Sequence, residues 1–417
     1  MTRMHTTPHI VIVGAGIIGL SHAVAALDAG FRVTVLEQDA RAVGASIRNF
    51  GHLGFGAHGG PLAALADEAR MLWPSIAERA GIDIHPTGTL VLARDKAERA
   101  VLTEARGQER FAHAVPVDAR GVAEMLGRTE MDPEFRGLLL PGDLTVNPRG
   151  AVAAIAAWVD AHERGSVRFS TTVHAVSDGR VGTSRGDVTA DHVIIAAGHL
   201  LGRLFPEVAE EHGIGECALQ MLRVREPAAG EPEGGGEISA GTELSAGTEL
   251  PAGTVPDDVG CRGTAGRFPA VLTGTSMLRY SAFSGPAVDA LRVHLERTRP
   301  DLLDMEANLM LTRHPDGTIL IGDTHAAHRS APPFLDETWS TTVLAELADV
   351  LGVESLEVLE RWQGVYAQSP AHDIVSVHPA SGVTAITVTT GIGMTLGPAL
   401  GARTLAALTL SLPATHS

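Results

Sequence analysis

The chain has 417 residues, is 44% hydrophobic, and carries 32 basic against 49 acidic side chains, a formal net charge of −17. This balance argues against nucleic acid and against an anionic membrane surface as partners, because both attract clusters of lysine and arginine. Two cysteines without a CxxC spacing argue against a disulfide framework, and no run of about 18 apolar residues predicts a membrane span. We therefore expect a cytoplasmic protein of two or three domains.

The first motif lies in the segment HIVIVGAGIIGLSHAVAALDAGFRVTVLEQD of residues 9–39. An apolar run, a stretch of helical spacing and a second apolar run predict strand, helix and strand. Gly14, Gly16 and Gly19 form G-x-G-x-x-G, which allows a tight turn, approach of a pyrophosphate and close packing of helix on strand. Glu37 ends the second strand, where it can accept hydrogen bonds from an adenosine ribose. The segment predicts a dinucleotide site and leaves the choice between NAD and FAD open.

A glycine-rich stretch, GASIRNFGHLGFGAHGG, follows at residues 44–60. Six of its 17 residues are glycine, so its backbone can lie close to a flat, bulky ligand. Because it follows the second strand, we expect it to pass from the ribose end of the cofactor towards the ring. Arg48, Asn49 and His52 would then face the space in which a substrate reacts.

The middle of the chain alternates between predicted helices and strands. Helices are expected over residues 62–80, 95–106 and 151–163, strands over residues 88–93, 167–176 and 190–198, and a strand followed by a turn over residues 137–150. Residues 226–258 differ in kind, because SAGTEL occurs twice there without any apolar periodicity. Their composition predicts a flexible, low-complexity insertion.

The C-terminal part ends in a second glycine motif. Antiparallel-type strands are predicted over residues 276–285 and 318–325, a helix over 336–352, and strands over 358–370 and from 383 on. The last strand leads into GIGMT at residues 391–395 and a helix that we expect to begin near Pro398. A second helix N-terminus with bare backbone can hold the far end of a long cofactor and stabilise negative charge there, which favours FAD.

The order of these elements predicts an α/β fold, α+β overall. It combines a Rossmann-like FAD-binding domain with a second, mainly antiparallel β-sheet substrate domain. The FAD-binding domain is predicted to be discontinuous, over residues 1–84, 146–212 and 365–417. The substrate domain would comprise residues 85–145 and 213–364.

Seven short motifs occur in the same order in a known superfamily: GAGIIG with its strand-end glutamate, HPTGTLVLA, NPRG, VIIAAGH, GDT, RWQGVY and GIGMTLGPALG. Over nearly its whole length the chain resembles the D-amino-acid oxidase, glycine oxidase and sarcosine oxidase superfamily, which has the glutathione-reductase-like FAD fold. More narrowly, SIRNFG, LQMLRV, LRYSAF, GDTH and RWQGVYAQSP are similar to a bacterial branch associated with aminophosphonate breakdown.

The resemblance implies that FAD binds non-covalently, and it implies which residues contact it. Neither cysteine lies near the flavin motifs, so no covalent attachment is expected. The residues implied at the ADP half are Gly14, Ala15, Gly16, Ile17, Ile18, Gly19, Glu37, Gln38, Val173, Ala197 and Gly198. The residues implied along the ribityl chain and the ring are Ala45, Ser46, Arg48, Asn49, Phe50, Gly51, Gly391, Gly393, Met394 and Thr395.

The chain departs from the family pattern where amino-acid-specific members hold the substrate carboxylate. Those members carry a Gly-x-Arg-Pro element, whose arginine forms a bidentate pair with the carboxylate. Here the matching run is GVYA at residues 364–367, without an arginine. Arg48, Arg223 and Arg279 are the candidates to hold an anion instead, the last two in segments expected to form neighbouring strands. Several arginines suit a phosphonate, although an ordinary ion pair is the alternative for each.

Tyrosine and histidine side chains complete the predicted site. Tyr280 and Tyr366 would hydrogen-bond the substrate, and His52, or with less support His58, would take the proton of the amine, because hydride transfer requires a neutral amine. The predicted catalytic residues are His52, Arg48 and Tyr280. The predicted substrate-binding residues are Arg48, Asn49, Arg223, Arg279, Tyr280 and Tyr366. No metal site is expected, because the histidines lack metal-ligand spacing.

The resemblance implies an FAD-dependent amine oxidase or dehydrogenase. The carbon bearing the amine would pass hydride to flavin N5, and the imine would hydrolyse. A small aminophosphonate, such as 2-aminoethylphosphonate or its N-methyl or hydroxylated forms, is the leading substrate, and O2 or another acceptor would take the electrons. The alternatives are a glycine-, sarcosine- or D-amino-acid-type oxidase, an NAD-dependent dehydrogenase, and a flavin-binding subunit without turnover. The oligomeric state stays open.

Overall fold

The computed structural model describes residues 7–227 and 268–411. Nearly all of the predicted low-complexity insertion, from residue 228 on, therefore lies outside the described residues. Within the described ranges, no helix combines the length and the apolar character that crossing a membrane requires.

The β-strands of the described residues are short, except for two long strands in the second half of the chain. In chain order they are β1 (His9–Val13), β2 (Arg32–Leu36), β3 (His52–Leu53), β4 (Ile84–His85), β5 (Thr89–Ala93), β6 (Val115–Val117), β7 (Arg136–Leu140), β8 (Leu144–Val146), β9 (Val167–Arg168), β10 (Val173–Ser177), β11 (Arg180–Thr183), β12 (Val188–Thr189), β13 (His192–Ile195), β14 (Gly215–Arg225), β15 (Ala270–Leu272), β16 (Met310–Arg313), β17 (Ile319–Gly322), β18 (Ala326–His328), β19 (Glu357–Gln368), β20 (Ile374–Ala380) and β21 (Val383–Val388).

The α-helices lie between these strands and at the C-terminal end. In chain order they are α1 (Ile17–Asp28), α2 (Pro61–Ala80), α3 (Lys96–Ala105), α4 (Ala119–Leu126), α5 (Pro148–Ala161), α6 (Leu201–Leu204), α7 (Pro206–Glu211), α8 (Gly274–Met277), α9 (Pro286–Thr298), α10 (Pro300–Asp304), α11 (Glu337–Leu351) and α12 (Gly393–Ser411). Short 3₁₀ helices lie at Ala45–Ile47, Glu109–Phe111 and Gly198–Leu200.

A six-stranded sheet carries the first glycine motif. Its strand order is β20-β21-β13-β1-β2-β9, with every pair parallel except β20 and β21. The central strand β1 is buried throughout, as its apolar sequence predicts. The helices α1 and α12 approach closely, because a Cβ atom at Gly401 would lie only 2.6 Å from the carbonyl oxygen of Ser21.

A nine-stranded sheet forms the second large layer. Its order is β18-β14-β17-β16-β15-β5-β7-β6, with β19 also paired to β14. Its strand pairs are antiparallel except β15 with β5. The mixed α/β architecture predicted from the sequence is therefore confirmed. The two large sheets draw their strands from the ranges expected for the two domains, except that β19 of the nine-stranded sheet continues past residue 364 to Gln368. The domain boundaries themselves stay a prediction.

Two short three-stranded sheets flank these layers. One has the order β10-β11-β12 and the other β3-β8-β4. The predicted single strand over residues 167–176 is divided, because β9 joins the six-stranded sheet and β10 the first of the short sheets. Helices predicted over residues 62–80, 95–106 and 336–352 are confirmed within a few residues.

The strand predicted over residues 276–285 is wrong. The short helix α8 and a turn take its place, and the side chains of its first residues explain why. Thr273 Oγ1 donates to the carbonyl oxygen of Leu309 at 2.8 Å, and the amide of Leu309 donates to Thr275 Oγ1 at 3.0 Å. These bonds hold residues 273–277 in a turn beside the start of β16, because the hydroxyl groups bond the backbone of Leu309 where a strand would form its own ladder bonds.

The helix α12 also differs from the prediction, because it begins at Gly393 rather than near Pro398. Proline has no N–H to donate to the carbonyl four residues earlier, which is that of Met394. The indole Nε1 of Trp73, a fully buried side chain on α2, donates to this carbonyl at 3.2 Å. A side chain from another helix thus replaces the missing hydrogen bond and lets the helix run through its proline.

Candidate active site

One large cavity of about 900 Å³ connects the two large sheets. It extends from the C-terminal ends of β1 and β2, past the N-terminal ends of α1 and α12, to the face of the nine-stranded sheet. Its volume lies at the upper end of the ~300–1,000 Å³ that small-molecule sites usually have. The space is therefore large enough for a long cofactor together with a small substrate.

The glycines of the first motif build the end of the cavity at α1, which we call the cofactor end. Gly14 and Gly16 line the cavity. Gly14 has a φ of +105°, and a Cβ atom there would lie 2.5 Å from the carbonyl oxygen of Ala196. Gly19 does not line the cavity, and its Cβ would lie 1.9 Å from the carbonyl oxygen of Gly14. This arrangement agrees with the predicted roles: a tight turn, access for a phosphate, and close helix–strand packing.

Glu37 lies at the C-terminal end of β2, beside this turn. Its Oε2 accepts from the amide of Ala15 at 2.9 Å, and its Oε1 accepts from the amide of Asp39 at 3.0 Å. Ala15 itself does not line the cavity, whereas Glu37 and its neighbour Gln38 do. The carboxylate is thus fixed by backbone donors, with further lone pairs open to a ribose hydroxyl.

The glycine-rich stretch at residues 44–60 packs against the start of α1. Ser46 Oγ accepts from the amide of Ile17 at 2.9 Å, which supplies the side-chain partner that Gly16 cannot offer at the helix start. Asn49 lines the cavity, but its amide donates to the carbonyls of Ala45 and Ser46 and accepts from the amide of Gly51. The amide of Asn49 therefore forms hydrogen bonds within the loop, although it was predicted to bind the substrate.

Most of the remaining residues predicted to contact the cofactor line the cavity as well. These are Ile17, Ile18, Ala45, Ser46, Arg48, Phe50, Val173, Ala197, Gly198, Gly391, Gly393, Met394 and Thr395. Gly51 does not line the cavity. It has a φ of +69°, and a Cβ atom there would lie 1.8 Å from the carbonyl oxygen of Val146. Its glycine is required by packing rather than by the cavity.

The second glycine motif forms the other helix N-terminus at the cavity. Gly391 has a φ of +76°, and a Cβ there would lie 3.3 Å from the ring of Tyr366. Bare backbone at the start of both α1 and α12, a fixed carboxylate on β2 and the length of the cavity together fit FAD, with its pyrophosphate at α1 and its ring at α12.

A polar group of side chains lines the opposite end of the cavity, which we call the substrate end. Its members are Arg279, Tyr280, Glu306, Asn308, Asp323, His325 and Tyr366. Asn308 Nδ2 donates to Asp323 Oδ1 at 3.0 Å, and Asp323 Oδ2 lies 3.5 Å from His325 Nε2. Arg279 Nη1 lies 3.5 Å from Glu306 Oε2. The group therefore contains cation, carboxylate, amide and imidazole within one wall.

Burial changes the protonation of this group. It raises the pKa of Asp323 to about 7, against the positive charge of Arg279 and the hydrogen bond from Asn308. Burial also lowers the pKa of His325 well below its usual value, and it raises the pKa values of Tyr280 and Tyr366. The imidazole and both phenols are therefore neutral at pH 7, while the carboxyl group of Asp323 titrates there.

The three candidate arginines are not brought together. Arg279 follows α8 and lines the substrate end, and Arg48 lines the cavity while Nη1 donates to the carbonyl of Gln363 at 3.0 Å. Arg223 lies outside the cavity, with Nη2 3.4 Å from Glu360. Arg223 lies on β14, whose partners are β17, β18 and β19, whereas residue 279 lies in a turn. The two arginines are therefore not on neighbouring strands.

The two histidines of the glycine-rich stretch are buried at the cavity wall. His52 Nε2 forms a 2.7 Å hydrogen bond with Thr89 Oγ1 and lies 3.9 Å from Asp143 Oδ2. Burial lowers the pKa of His52 to about 3 and that of His58 to about 4. Asp143 does not line the cavity, and burial raises its pKa to about 6. His52 is thus neutral, and one ring nitrogen is already engaged with Thr89.

Sequence reasoning does not find Asn308 and Asp323. They are 15 residues apart, on either side of the β16–β17 hairpin, and become neighbours because each donates its backbone amide to the other's carbonyl, at 2.8 and 2.9 Å. The only sequence signal is the GDT motif, which contains Asp323 but does not reveal that its side chain is buried. In the described part of the chain, no group of three His, Cys, Asp or Glu residues could hold a metal ion.

Residues 9–247, more than half of the chain, match the family model described as DAO, FAD dependent oxidoreductase. Similar structures include glycine oxidase from Geobacillus kaustophilus, with 19% identity and a TM-score of 0.68 over 99% of this chain and 97% of that one. Iminodiacetate oxidase (IdaA) from Chelativorans sp. BNC1 has 17% identity and a TM-score of 0.71 over 98% and 97%. L-proline dehydrogenase from P. horikoshii has 16% identity and a TM-score of 0.71 over 98% and 94%. At these identities the structures establish the fold alone, and no curated protein matches in sequence.

Proposed function

Because the chain belongs to the DAO family of FAD dependent oxidoreductases, we propose that it oxidises a small amine, and that this amine is an aminophosphonate. Membership makes the chain an enzyme with FAD as its cofactor, which sets aside an NAD-dependent dehydrogenase and a subunit without turnover. The observation that carries the amine assignment is the large cavity, which joins both helix N-termini to a polar end with Arg279, Asn308 and Asp323. The names of glycine oxidase and iminodiacetate oxidase, two similar folds, also point to amines.

The residues at the cofactor end would hold FAD by its phosphates, ribose and ring. The backbone at Gly14 and Gly16 would receive the pyrophosphate at the start of α1, and Glu37 would receive the ribose. The segment at residues 391–395 and the loop around Arg48 would receive the ring. Bound FAD supplies a two-electron acceptor for the carbon that bears the amine. The remaining work of the chain is to bind, orient and deprotonate the substrate.

The proposal of a phosphonate rests on how anions can be held at the substrate end. No arginine occupies the GVYA segment at residues 364–367; instead its Tyr366 faces the cavity. Arg279 and Arg48 line the same space from two other segments, and neutral Tyr280 and Tyr366 can donate hydrogen bonds. A phosphonate has three acceptor oxygens and up to two charges, so it suits donors that converge from several directions.

The test is anaerobic mixing of the purified protein with a panel of amines while the visible absorption of its flavin is followed. The panel contains 2-aminoethylphosphonate, its N-methyl and 1-hydroxy forms, glycine and sarcosine. We expect the aminophosphonates to bleach the flavin at low concentration and the two carboxylates to do so slowly or not at all. Bleaching by glycine or sarcosine alone would assign the enzyme to the carboxylate class instead, and a colourless protein that binds no FAD would contradict the proposal altogether.

A further inference from the structure

We propose that Asp323, positioned by Asn308 and His325, accepts the proton that the substrate ammonium loses before its carbon is oxidised. The inference rests on the proposed amine oxidation and assigns to Asp323 a step for which the sequence predicts His52. The step is R–NH₃⁺ + Asp323–COO⁻ → R–NH₂ + Asp323–COOH, so an N–H bond breaks, an O–H bond forms and no electrons change hands. The neutral amine then has a lone pair that can support loss of hydride from its carbon.

The tautomer of His325 leaves room for this proton. His325 Nδ1 lies 3.1 Å from the carbonyl oxygen of Glu306, and a carbonyl can only accept, so Nδ1 carries the ring's hydrogen. In the neutral ring Nε2 is then bare, and it faces Asp323 Oδ2 at 3.5 Å. When Asp323 is ionised, two acceptors face each other without a hydrogen between them. A proton that arrives on Oδ2 can satisfy both atoms, so this pair is built to take up one proton.

Asn308 provides a second acceptor at the same place. Its Nδ2 donates to Asp323 Oδ1 at 3.0 Å, which fixes the orientation of the amide. Asn308 Oδ1 is buried and has no hydrogen-bond partner among the residues that the structure describes, although Asn308 is only 7% exposed and lines the cavity. A buried acceptor without a donor is costly unless a ligand supplies one. The N–H groups of an amine are such donors.

The charged and titratable groups around Asp323 come from several elements. They are Arg279 and Tyr280 after α8, Glu306 after α10, Cys217 on β14, Tyr366 on β19, and His325 before β18. Arg279 favours the ionised carboxylate and burial opposes it, while burial keeps the thiol and both phenols protonated. Asp323 is therefore the group of this wall that changes its charge near neutral pH, where a general base is most effective.

The competing base is the pair of His52 and Asp143. Burial lowers the pKa of His52 to about 3, which makes it a weak proton acceptor, and Asp143 does not line the cavity. The carboxyl groups of Asp143 and Asp323 are nevertheless matched in burial and both have a raised pKa. Asp143→Asn is therefore the control for Asp323→Asn.

The experiment measures the rate of flavin bleaching by a reactive amine as a function of pH. For the wild type we expect the rate to fall as the pH drops through about 7, because protonated Asp323 cannot accept a proton. In Asp323→Asn the rate at pH 7 should fall by about 100-fold or more. The midpoint of the variant's pH–rate profile should move towards a pH of about 10, the ordinary pKa of an alkylammonium group. The asparagine can still accept from Asn308 and donate to His325, so flavin content should not change. Asp143→Asn should keep the wild-type midpoint.

Three results would overturn the inference without touching the proposed function. They are a wild-type profile without a limb near pH 7, a wild-type profile in Asp323→Asn, and a shifted midpoint in Asp143→Asn alone, which would assign the proton to the His52 pair. The first of these needs no variant, so it decides the matter even if Asp323→Asn were to lose flavin. Failure of every amine to bleach the wild-type flavin would instead overturn the proposed function, and this inference with it.

Discussion

The two ends of the cavity are built in opposite ways. At the cofactor end, the cavity is lined mainly by backbone, because its glycines lie beside the strands and helices that position them. At the substrate end, side chains from four separated segments meet on one wall, and backbone contributes little beyond their placement. The comparison shows that a cofactor site can be specified by a short stretch of sequence, whereas a substrate site depends on how the whole sheet is assembled. The following substitutions test each side of that contrast.

The largest effect is expected at the cofactor end, from Gly14→Ala. The added Cβ would lie 2.5 Å from a backbone oxygen at a φ of +105°, so neither neighbour nor residue can relax cheaply. We expect loss of bound flavin and a fall in the free energy of unfolding of roughly 2–6 kcal/mol, from backbone strain plus overpacking. Absorption spectra and thermal unfolding measure both.

Gly150→Ala on α5 is the matched control. Its Cβ would meet nothing nearer than Asn147 Cγ at 3.8 Å. We therefore expect unchanged flavin content and a gain in stability of up to about 1 kcal/mol from helix propensity. If Gly14→Ala behaved like Gly150→Ala, the turn at β1 would tolerate a side chain and the backbone account of the cofactor end would be incorrect.

At the substrate end we expect the next largest effect from Arg279→Met. The methionine keeps the apolar stem and removes the cation, so the KM for an aminophosphonate should rise by about 30-fold, the equivalent of roughly 2 kcal/mol. Arg223→Met is its control, because Arg223 lies outside the cavity beside Glu360 and its KM should stay within error of wild type. Equal rises in KM at both positions would show that the overall positive charge, rather than contact of Arg279 with the substrate, sets the KM.

Arg48→Met should have the smallest effect of the three. One nitrogen of the Arg48 guanidinium is already committed to the carbonyl of Gln363, so only part of its donor set faces the cavity. We expect KM to rise about 5-fold, in line with about 1 kcal/mol for one hydrogen bond. Titration with a phosphonate inhibitor gives the same quantity without turnover. A rise as large as that of Arg279→Met would make Arg48 the principal anion site.

The same contrast explains what could be predicted. The segment from His9 to Asp39 contains both the ligand-binding residues and the strands and helix that place them, so its site can be predicted from 31 consecutive residues. Asn308 and Asp323 carry no local pattern, because their proximity follows from strand pairing. Alternation predicts a strand for the segment of Arg279, but hydrogen bonds from hydroxyl side chains fold residues 273–277 into a turn instead. Periodicity describes a segment, but long-range hydrogen bonds decide what it faces.

Arg48 has a further consequence for how long the enzyme keeps its cofactor. Its side chain donates to the carbonyl of Gln363, and its own carbonyl accepts from the indole Nε1 of Trp362 at 3.2 Å. Both the side chain and the backbone of Arg48 thus bond the loop at the cofactor end to β19, a strand of the nine-stranded sheet. Two such bonds add about 2 kcal/mol to the cost of lifting the loop away from β19. We therefore expect FAD held beneath this loop to be released more slowly than it would be from a loop held by its own segment alone.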